Sequence, residues 1–341
     1  MPSNYAAWIL EAKAHPFVVK EAPLTKPSEH EILVKNHALA VNPIDPNLQQ
    51  TTWWPLNFPA ILGQDVAGEV IEVGPSVTRF RPGDRVIGHA LGMVSKTNEH
   101  SGFQAYTVLN TTLASHIPDE ISYESAAVIP LGLSTAAVGL FQDDFLNLQY
   151  PTEPRAQPTG NALLIWGGAS SVGSSAIQLA VAAGYEVYTT ASPKNFEYVQ
   201  NLGAKAVFDY NSATVVDDIV AALSGKKLAG ALDCIGSVGS NATQLTVDVV
   251  QRADGVKFVS TTKRGFKAPA DVAVKMIFGT TLKDNAVGKA VYEDFLPKAL
   301  KAKTFVPAPE PWVVGKGLES VQKAVDLMDK GVSAKKIVVS L

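Results

Sequence analysis

The residues best placed to do chemistry lie in one stretch, LLIWGGASSVGSSAIQLAVAAG, residues 163–184. An unbroken apolar run enters Gly167, Gly168, Ala169, Ser170, Ser171, Val172 and Gly173, and a second apolar segment follows at once. Small side chains there let a backbone come close to a diphosphate, and the free N–H groups of a helix start favour its negative charge. The spacing is not a strict GxGxxG, and such a turn can also be a plain strand-to-helix connection. The residues that follow sharpen the choice. Sites for NADH place an Asp or Glu about 20 residues on, against the ribose 2′-hydroxyl. This chain has Thr190, Ala191, Ser192, Pro193, Lys194 and Asn195, with no acid. Lys194 can pair with a 2′-phosphate and Ser192 can donate to it, which favours NADPH. The bland alternative keeps Ser192 as a helix cap and Lys194 as a surface lysine.

The elements that must hold these residues can be read on either side. Ala162–Trp166 reads as a buried strand, residues 174–183 as a buried helix closed by Gly184, and 186–190 as the next strand. Ser192 with Pro193 opens a helix that runs to Leu202 and Gly203, and 206–210 is a third strand. Strand, helix, strand, helix, strand predicts a doubly wound parallel sheet. Further strands are expected at 230–235 and 257–260, then an amphipathic helix at 317–330 and a strand at 336–340. Residues 149–159 hold three prolines among polar residues and read as an exposed insertion. Before about residue 128 the texture differs. Short apolar runs broken by Gly and Pro predict a β-rich, barrel-like domain.

Asn42, Pro43, Ile44 and Asp45, then residues 63–86 (GQDVAGEVIEVGPSVTRFRPGDRV) and 117–137 (IPDEISYESAAVIPLGLSTAA), resemble the zinc-free, quinone-reductase-like branch of the medium-chain dehydrogenase/reductase superfamily. WGGASSVGSSAIQLA and TTASPKNFEYVQNLGAKAVFDY are similar to fungal trans-acting enoyl reductases of polyketide pathways. The resemblance covers nearly the whole chain. It implies an α/β protein with a GroES-like β-rich catalytic domain over 1–128, completed by 289–341, and a Rossmann NADPH-binding domain over 129–288. It further implies that Asn42, Pro43, Ile44, Asp45 and Pro46 approach the nicotinamide end, with Thr135 near the cofactor. Gly168, Ser170, Ser171, Val172 and Gly173 would hold the pyrophosphate, Ser192, Lys194 and Tyr210 the 2′-phosphate, and Asn195 would also touch the cofactor. Ile235, Gly236, Ser260 and Thr261 would flank the nicotinamide ribose.

Zinc-bearing members of that superfamily carry a cysteine where this chain has Asn42, and a histidine and glutamate where it has Gln64 and Asp65. Residues 91–101, matching the structural-zinc lobe, contain no cysteine, and His89 and His100 stand alone. No metal is expected. Without a Lewis acid, hydride transfer suits an acceptor that is already activated, an enone or enoyl thioester, or alternatively a quinone. A third reading is a nucleotide-binding partner or structural protein with little catalysis. The substrate is expected between the domains, against Trp53, Trp54, Phe58, Leu131, Ile277, Phe278 and Gly279, although the two tryptophans suit plain packing as well. No general acid stands out; Tyr106 is a weak candidate, and Asp45 reads as a residue that orders its loop.

Bulk properties bound the rest. The 341 residues suggest two domains, and 46% hydrophobic with 18% charged residues allows a sizeable core. A net charge of −3 gives no reason to expect nucleic acid or an anionic membrane. The one cysteine, Cys234, excludes a disulfide framework and reads as a core residue. The N-terminal segment reads as strands and no apolar run near 20 residues is found, so a cytoplasmic protein is expected. The partner is a small-molecule substrate, including a carrier-bound acyl chain. A carrier would need a basic face, for which Lys263, Lys267, Lys275 and Lys283 are loosely clustered. Monomer and homodimer both stay open.

Overall fold

The computed structural model describes residues 3–237 and 239–341. The chain forms two compact units, residues 1–131 with 300–341, and residues 132–299.

The second unit is built on a parallel six-stranded sheet. Its order is Ala206–Asp209, Glu186–Ala191, Ala162–Trp166, Leu228–Asp233, Phe258–Thr261, Ala273–Met276. The central strand Ala162–Trp166 is buried at every position, as expected for a strand covered on both faces. Strand order reverses on either side of it, so the chain's first turn out of the sheet lies at a topological switch point, where ligands bind in open α/β sheets. The doubly wound expectation holds. The helix after the glycine turn begins at Ser171, three residues earlier than the apolar pattern predicts, because Ser170 caps it.

The first unit has a seven-stranded sheet in which Glu31–Ala40 pairs with Asp65–Val73, Tyr106–Asn110 and the C-terminal Lys335–Ser340. A three-stranded sheet joins Asn4–Ile9 to Val18–Ala22 and Ala60–Ile61. This is the β-rich domain read from the first 128 residues. The last strand joins it because the apolar residues Ile337, Val338 and Val339 are fully buried there.

Three expectations need correction. The return to the first unit comes at residue 300, not 289. The segment between carries Val291, Tyr292 and Phe295 buried, and the Tyr292 hydroxyl lies 2.7 Å from Ser134 Oγ in the second unit. Residues 149–159 are largely exposed, as expected, and are tied to the fold at two points. Ala156 N and Thr159 N donate to the carbonyls of Ala182 and Gly184, both at 2.9 Å, and so satisfy acceptors that a helix end leaves open. One helical run, Tyr123–Phe141, is long and apolar enough to cross a membrane by composition, though 78% of its window is buried in the fold. The basic cluster is largely consumed: Lys275 pairs with Asp144, Lys283 with Asp284 at 2.6 Å, and Lys263 donates to the Ser237 carbonyl at 2.5 Å.

Candidate nucleotide and reductase site

In the second unit the glycine turn is held by the neighbouring strand. Gly167 N donates to Thr190 Oγ1 and Gly168 N to the Thr190 carbonyl, each at 2.9 Å. Gly167 adopts φ +83°, a conformation that strains any L side chain. A Cβ on Gly168 would sit 2.3 Å from Thr189 Oγ1, and one on Gly173 would sit 2.3 Å from the Gly167 carbonyl. Both glycines are therefore required by close approach. Ser170 Oγ accepts from Gly173 N at 3.0 Å and donates to the Gly167 carbonyl at 2.8 Å. Its hydroxyl thus builds the turn. The amides of Ser171 and Val172 open the helix and have no acceptor within it, which leaves them to receive an anion. These residues fit a pyrophosphate.

The residues assigned to the 2′-phosphate meet at one end of the sheet. Ala191 and Asp209 are register partners on adjacent parallel strands, so Ser192 and Tyr210 follow side by side. Asn195 Nδ2 donates to Ser192 Oγ at 3.1 Å, leaving that hydroxyl's proton available. Lys194 is exposed in the single turn Pro193–Asn195, and Tyr210 is 44% exposed. The register also brings a carboxylate that strand-by-strand reading does not find, Asp209. Its Oδ1 accepts from Asn211 N at 2.9 Å and Asn211 Nδ2 at 3.0 Å, so it is engaged in its own turn.

Asp233, buried at the end of its strand, ties together the loops expected to flank the ribose. Oδ1 accepts from Ile235 N at 2.9 Å, and Oδ2 from Thr261 Oγ1 at 2.9 Å and Thr243 Oγ1 at 2.5 Å. Burial raises its pKa, against the pull of these donors. The Ile235 side chain packs over Gly167, where an added Cβ would meet it at 2.6 Å, so this loop and the glycine turn are neighbours. The hydroxyls of two of the residues expected there are bonded within the protein. Ser260 Oγ donates to the Gly139 carbonyl at 2.8 Å, and Thr261 Oγ1 is bound to Asp233. Thr135 is buried, and Gly279 passes it so closely that a Cβ would lie 3.0 Å from its Oγ1. Ile277 is 5% exposed and packed toward Gly139, which makes it core; Phe278 is half-buried. Burial pushes the Cys234 thiol well up, in keeping with a core residue.

In the first unit Asn42 sits in a closed polar cluster. Its Nδ2 donates to Asp65 Oδ2 at 2.8 Å, and its Oδ1 accepts from Lys336 Nζ. Lys336 also pairs with Asp65 at 2.8 Å, both side chains being essentially inaccessible. Asp65 Oδ1 accepts from Leu131 N at 2.6 Å. Asp45 Oδ2 accepts from Asn42 N at 2.7 Å, which anchors the turn into the helix Ile44–Gln50, with Pro43 exposed and Pro46 buried. Burial pushes the Asp45 carboxyl up to about 7 and the His89 imidazole down to about 4. His89 Nε2 lies 3.2 Å from Gln64 Oε1. His100 pairs with Glu31 at 2.9 Å. Among the described residues no group of three or more His, Cys, Asp or Glu is arranged to hold a metal.

Trp53 and Trp54 pack edge to face at 5.6 Å, and Trp54 Nε1 donates to the Met93 carbonyl at 2.8 Å. Phe58 is 40% exposed. A nearby cavity is lined by Leu48, Leu56, Ile61, Gln64 and Met93, none of which the sequence pattern marks as pocket residues. Tyr106 is half-buried on the strand Tyr106–Asn110, and no described side chain bonds its hydroxyl. Thr190, Asp233 and Lys336 support the candidate site through hydrogen bonds that sequence reasoning missed. Only Asp233, at a strand end before a Gly-containing loop, carried a local signal.

Residues 28–119 match the Alcohol dehydrogenase GroES-like domain family and residues 171–297 the Zinc-binding dehydrogenase family. The chain is 63% identical over 339 residues to the zinc-binding alcohol dehydrogenase domain-containing protein cipB of Emericella nidulans, covering 99% of this chain and 98% of that protein. It is 40% identical to the trans-enoyl reductase himH of Aspergillus japonicus, covering 99% and 97%. The crystal structure of an alcohol dehydrogenase superfamily protein from Novosphingobium aromaticivorans superposes with a TM-score of 0.80 at 25% identity, over 99% of each chain. The chain belongs to the medium-chain dehydrogenase/reductase superfamily, as an enoyl reductase-like oxidoreductase with a GroES-like domain and a Rossmann-like domain for a nicotinamide cofactor.

Proposed function

We propose that this protein is an NADPH-dependent reductase that adds hydride to the activated C=C bond of an enone or enoyl thioester, free or carrier-bound, without a metal. The observation that carries this reading is the Asn42–Asp65–Lys336 cluster. Where zinc-bearing members of the superfamily place their ligands, this chain has two carboxamides, Asn42 and Gln64, and a carboxylate already neutralised by a buried ammonium. That donor set does not fit Zn²⁺, and the Lys336 charge would repel it. Lewis-acid stabilisation of an alkoxide is then missing, so simple alcohol oxidation is poorly served. An acceptor whose own conjugated carbonyl takes up the charge needs only positioning and hydrogen-bond donors.

NADPH supplies the hydride when bound. The chain's part is to grip and orient. The amides of Ser171 and Val172 receive the pyrophosphate, and Ser192, Lys194 and Tyr210 receive the 2′-phosphate. Asp233 fixes the Ile235 loop against the glycine turn. The relative named trans-enoyl reductase supports the choice of a C=C acceptor. Initial rates of NADPH oxidation with a short enoyl thioester and, in parallel, an ortho-quinone test the proposal. Turnover of the thioester is expected. Turnover of the quinone alone would move the protein to quinone reduction, and silence with both despite tight NADPH binding would favour a nucleotide-binding partner protein.

A further inference from the structure

We propose that Lys336 is a positioning residue of the reductase site, an inference that rests on the reductase reading. Its ammonium fixes the Asn42–Asp45 turn and the Leu131 amide through Asn42 and Asp65. Lys336 lies on the C-terminal strand Lys335–Ser340, and Ile337 beside it accepts from Val41 N at 3.0 Å, so the last strand flanks the chain that enters Asn42. The side chain is 1% exposed, so the ammonium cannot be solvated and must be held by protein. It has two partners: Asn42 Oδ1, and Asp65 Oδ2 at 2.8 Å.

Asp65 divides its two oxygens between segments. Oδ2 takes Lys336 and Asn42 Nδ2, while Oδ1 takes Leu131 N at 2.6 Å. Asn42 N in turn is bound by Asp45 Oδ2 at 2.7 Å. One ammonium thus sets the rotamer of Asn42 and the direction of the Asp65 carboxylate. Through them it sets two segments expected to bear on the reacting end of the cofactor and on substrate. A pure packing role would be met by an apolar side chain of the same length. The three-way hydrogen bonding is what a hydrocarbon cannot supply.

The test separates charge balance from positioning. Lys336→Met alone leaves Asp65 buried without its counter-charge and should lower the melting temperature sharply. The double variant Lys336→Met/Asp65→Asn buries no charge and should recover most of that loss, while the carboxamide introduced at position 65 can still accept from Leu131 N. In the double variant kcat for the thioester should stay down about tenfold, with the Kd for NADPH within about twofold of wild type. Amide hydrogen exchange at Asn42 and Leu131 should be faster than in wild type, with the rest of the chain unchanged. Recovery of kcat together with the melting temperature, or wild-type exchange at those two amides, overturns the proposal. If the wild-type protein turns over no C=C acceptor, the reductase reading falls, and the exchange measurement alone decides whether Lys336 holds the turn.

Discussion

The glycine turn and the Asn42 cluster are both built from small and polar residues, yet they treat their polar groups in opposite ways. Around Gly167–Gly168 the side chains of Thr190 and Ser170 satisfy the turn from beneath, and the helix-start amides of Ser171 and Val172 are left open. Around Asn42 the Asp65 carboxylate, the carboxamide and the Lys336 ammonium are spent on one another, while Asp45 holds the Asn42 amide through one oxygen. The first leaves donors open to a charged ligand. The second is a closed clamp, which can act on a ligand only through the backbone and apolar atoms it positions. Disturbing the clamp should therefore change stability and its pH dependence, and disturbing the turn should change cofactor affinity.

The largest effect is expected from titration of the clamp. The Asp45 carboxyl rises from an ordinary 3.8 to about 7 through burial, with a smaller contribution from Asp65. Between those values the folded chain holds a proton that the unfolded chain has released, so stability falls as pH rises through the window. His89 does the reverse. Its pKa drops from 6.5 to about 4, so the unfolded chain holds the extra proton and stability rises across that window. Wild type should therefore change little up to about pH 6.5 and lose stability above it, through partial cancellation. Asp45→Asn, which keeps an acceptor for Asn42 N, should remove the falling contribution, ~4 kcal/mol. It then gains stability steadily with pH, whereas His89→Gln only loses it. Urea midpoints from about pH 4 to pH 8 check this. Parallel curves for the three proteins would mean that neither group titrates as the burial implies.

The turn should respond in affinity. Gly173→Val places a side chain against the Gly167 carbonyl, where even a Cβ comes within 2.3 Å, and helix start and strand end must part. NADPH binding followed by nucleotide fluorescence should weaken about 100-fold, or ~2.7 kcal/mol. Circular dichroism shows whether the sheet survives. Unchanged affinity in a folded variant would mean that this turn does not cradle the cofactor.

The two regions also differ in how far they could be read from sequence. The turn is local: a buried strand, seven small residues and a helix are contiguous, so its position and chemistry were legible. What the pattern did not give was the support from Thr190, 23 residues on, whose hydroxyl faces the turn only once the strands are paired. The clamp is the opposite case. Lys336 and Asn42 are separated by 294 residues, and a lysine in KKIVVS reads as an ordinary edge residue until the last strand is laid beside Glu31–Ala40. The return point at residue 300 was missed for the same kind of reason, since Tyr292 reaches Ser134 across 158 residues. Period and spacing reveal elements and turns. They do not reveal which buried charge finds which partner.

The smallest expected effect concerns the choice of nucleotide, and there the register sharpens the comparison. Lys194 is exposed and bonded to no described side chain, which leaves its ammonium open to a phosphate. Asp209 lies one strand away, and a carboxylate is what an NADH site would use. Its oxygen is held by Asn211, which draws it into its own turn and away from that role. On the proposed NADPH reading, Lys194→Ala should weaken NADPH about tenfold, ~1.4 kcal/mol for an exposed charge-assisted contact, and leave NADH unchanged. Equal losses for both nucleotides would remove Lys194 from the phosphate site. A gain for NADH in Asn211→Ala, where Asp209 is released to turn toward the ribose, would show that the sheet end holds the elements of both specificities and that one hydrogen-bonded turn selects between them.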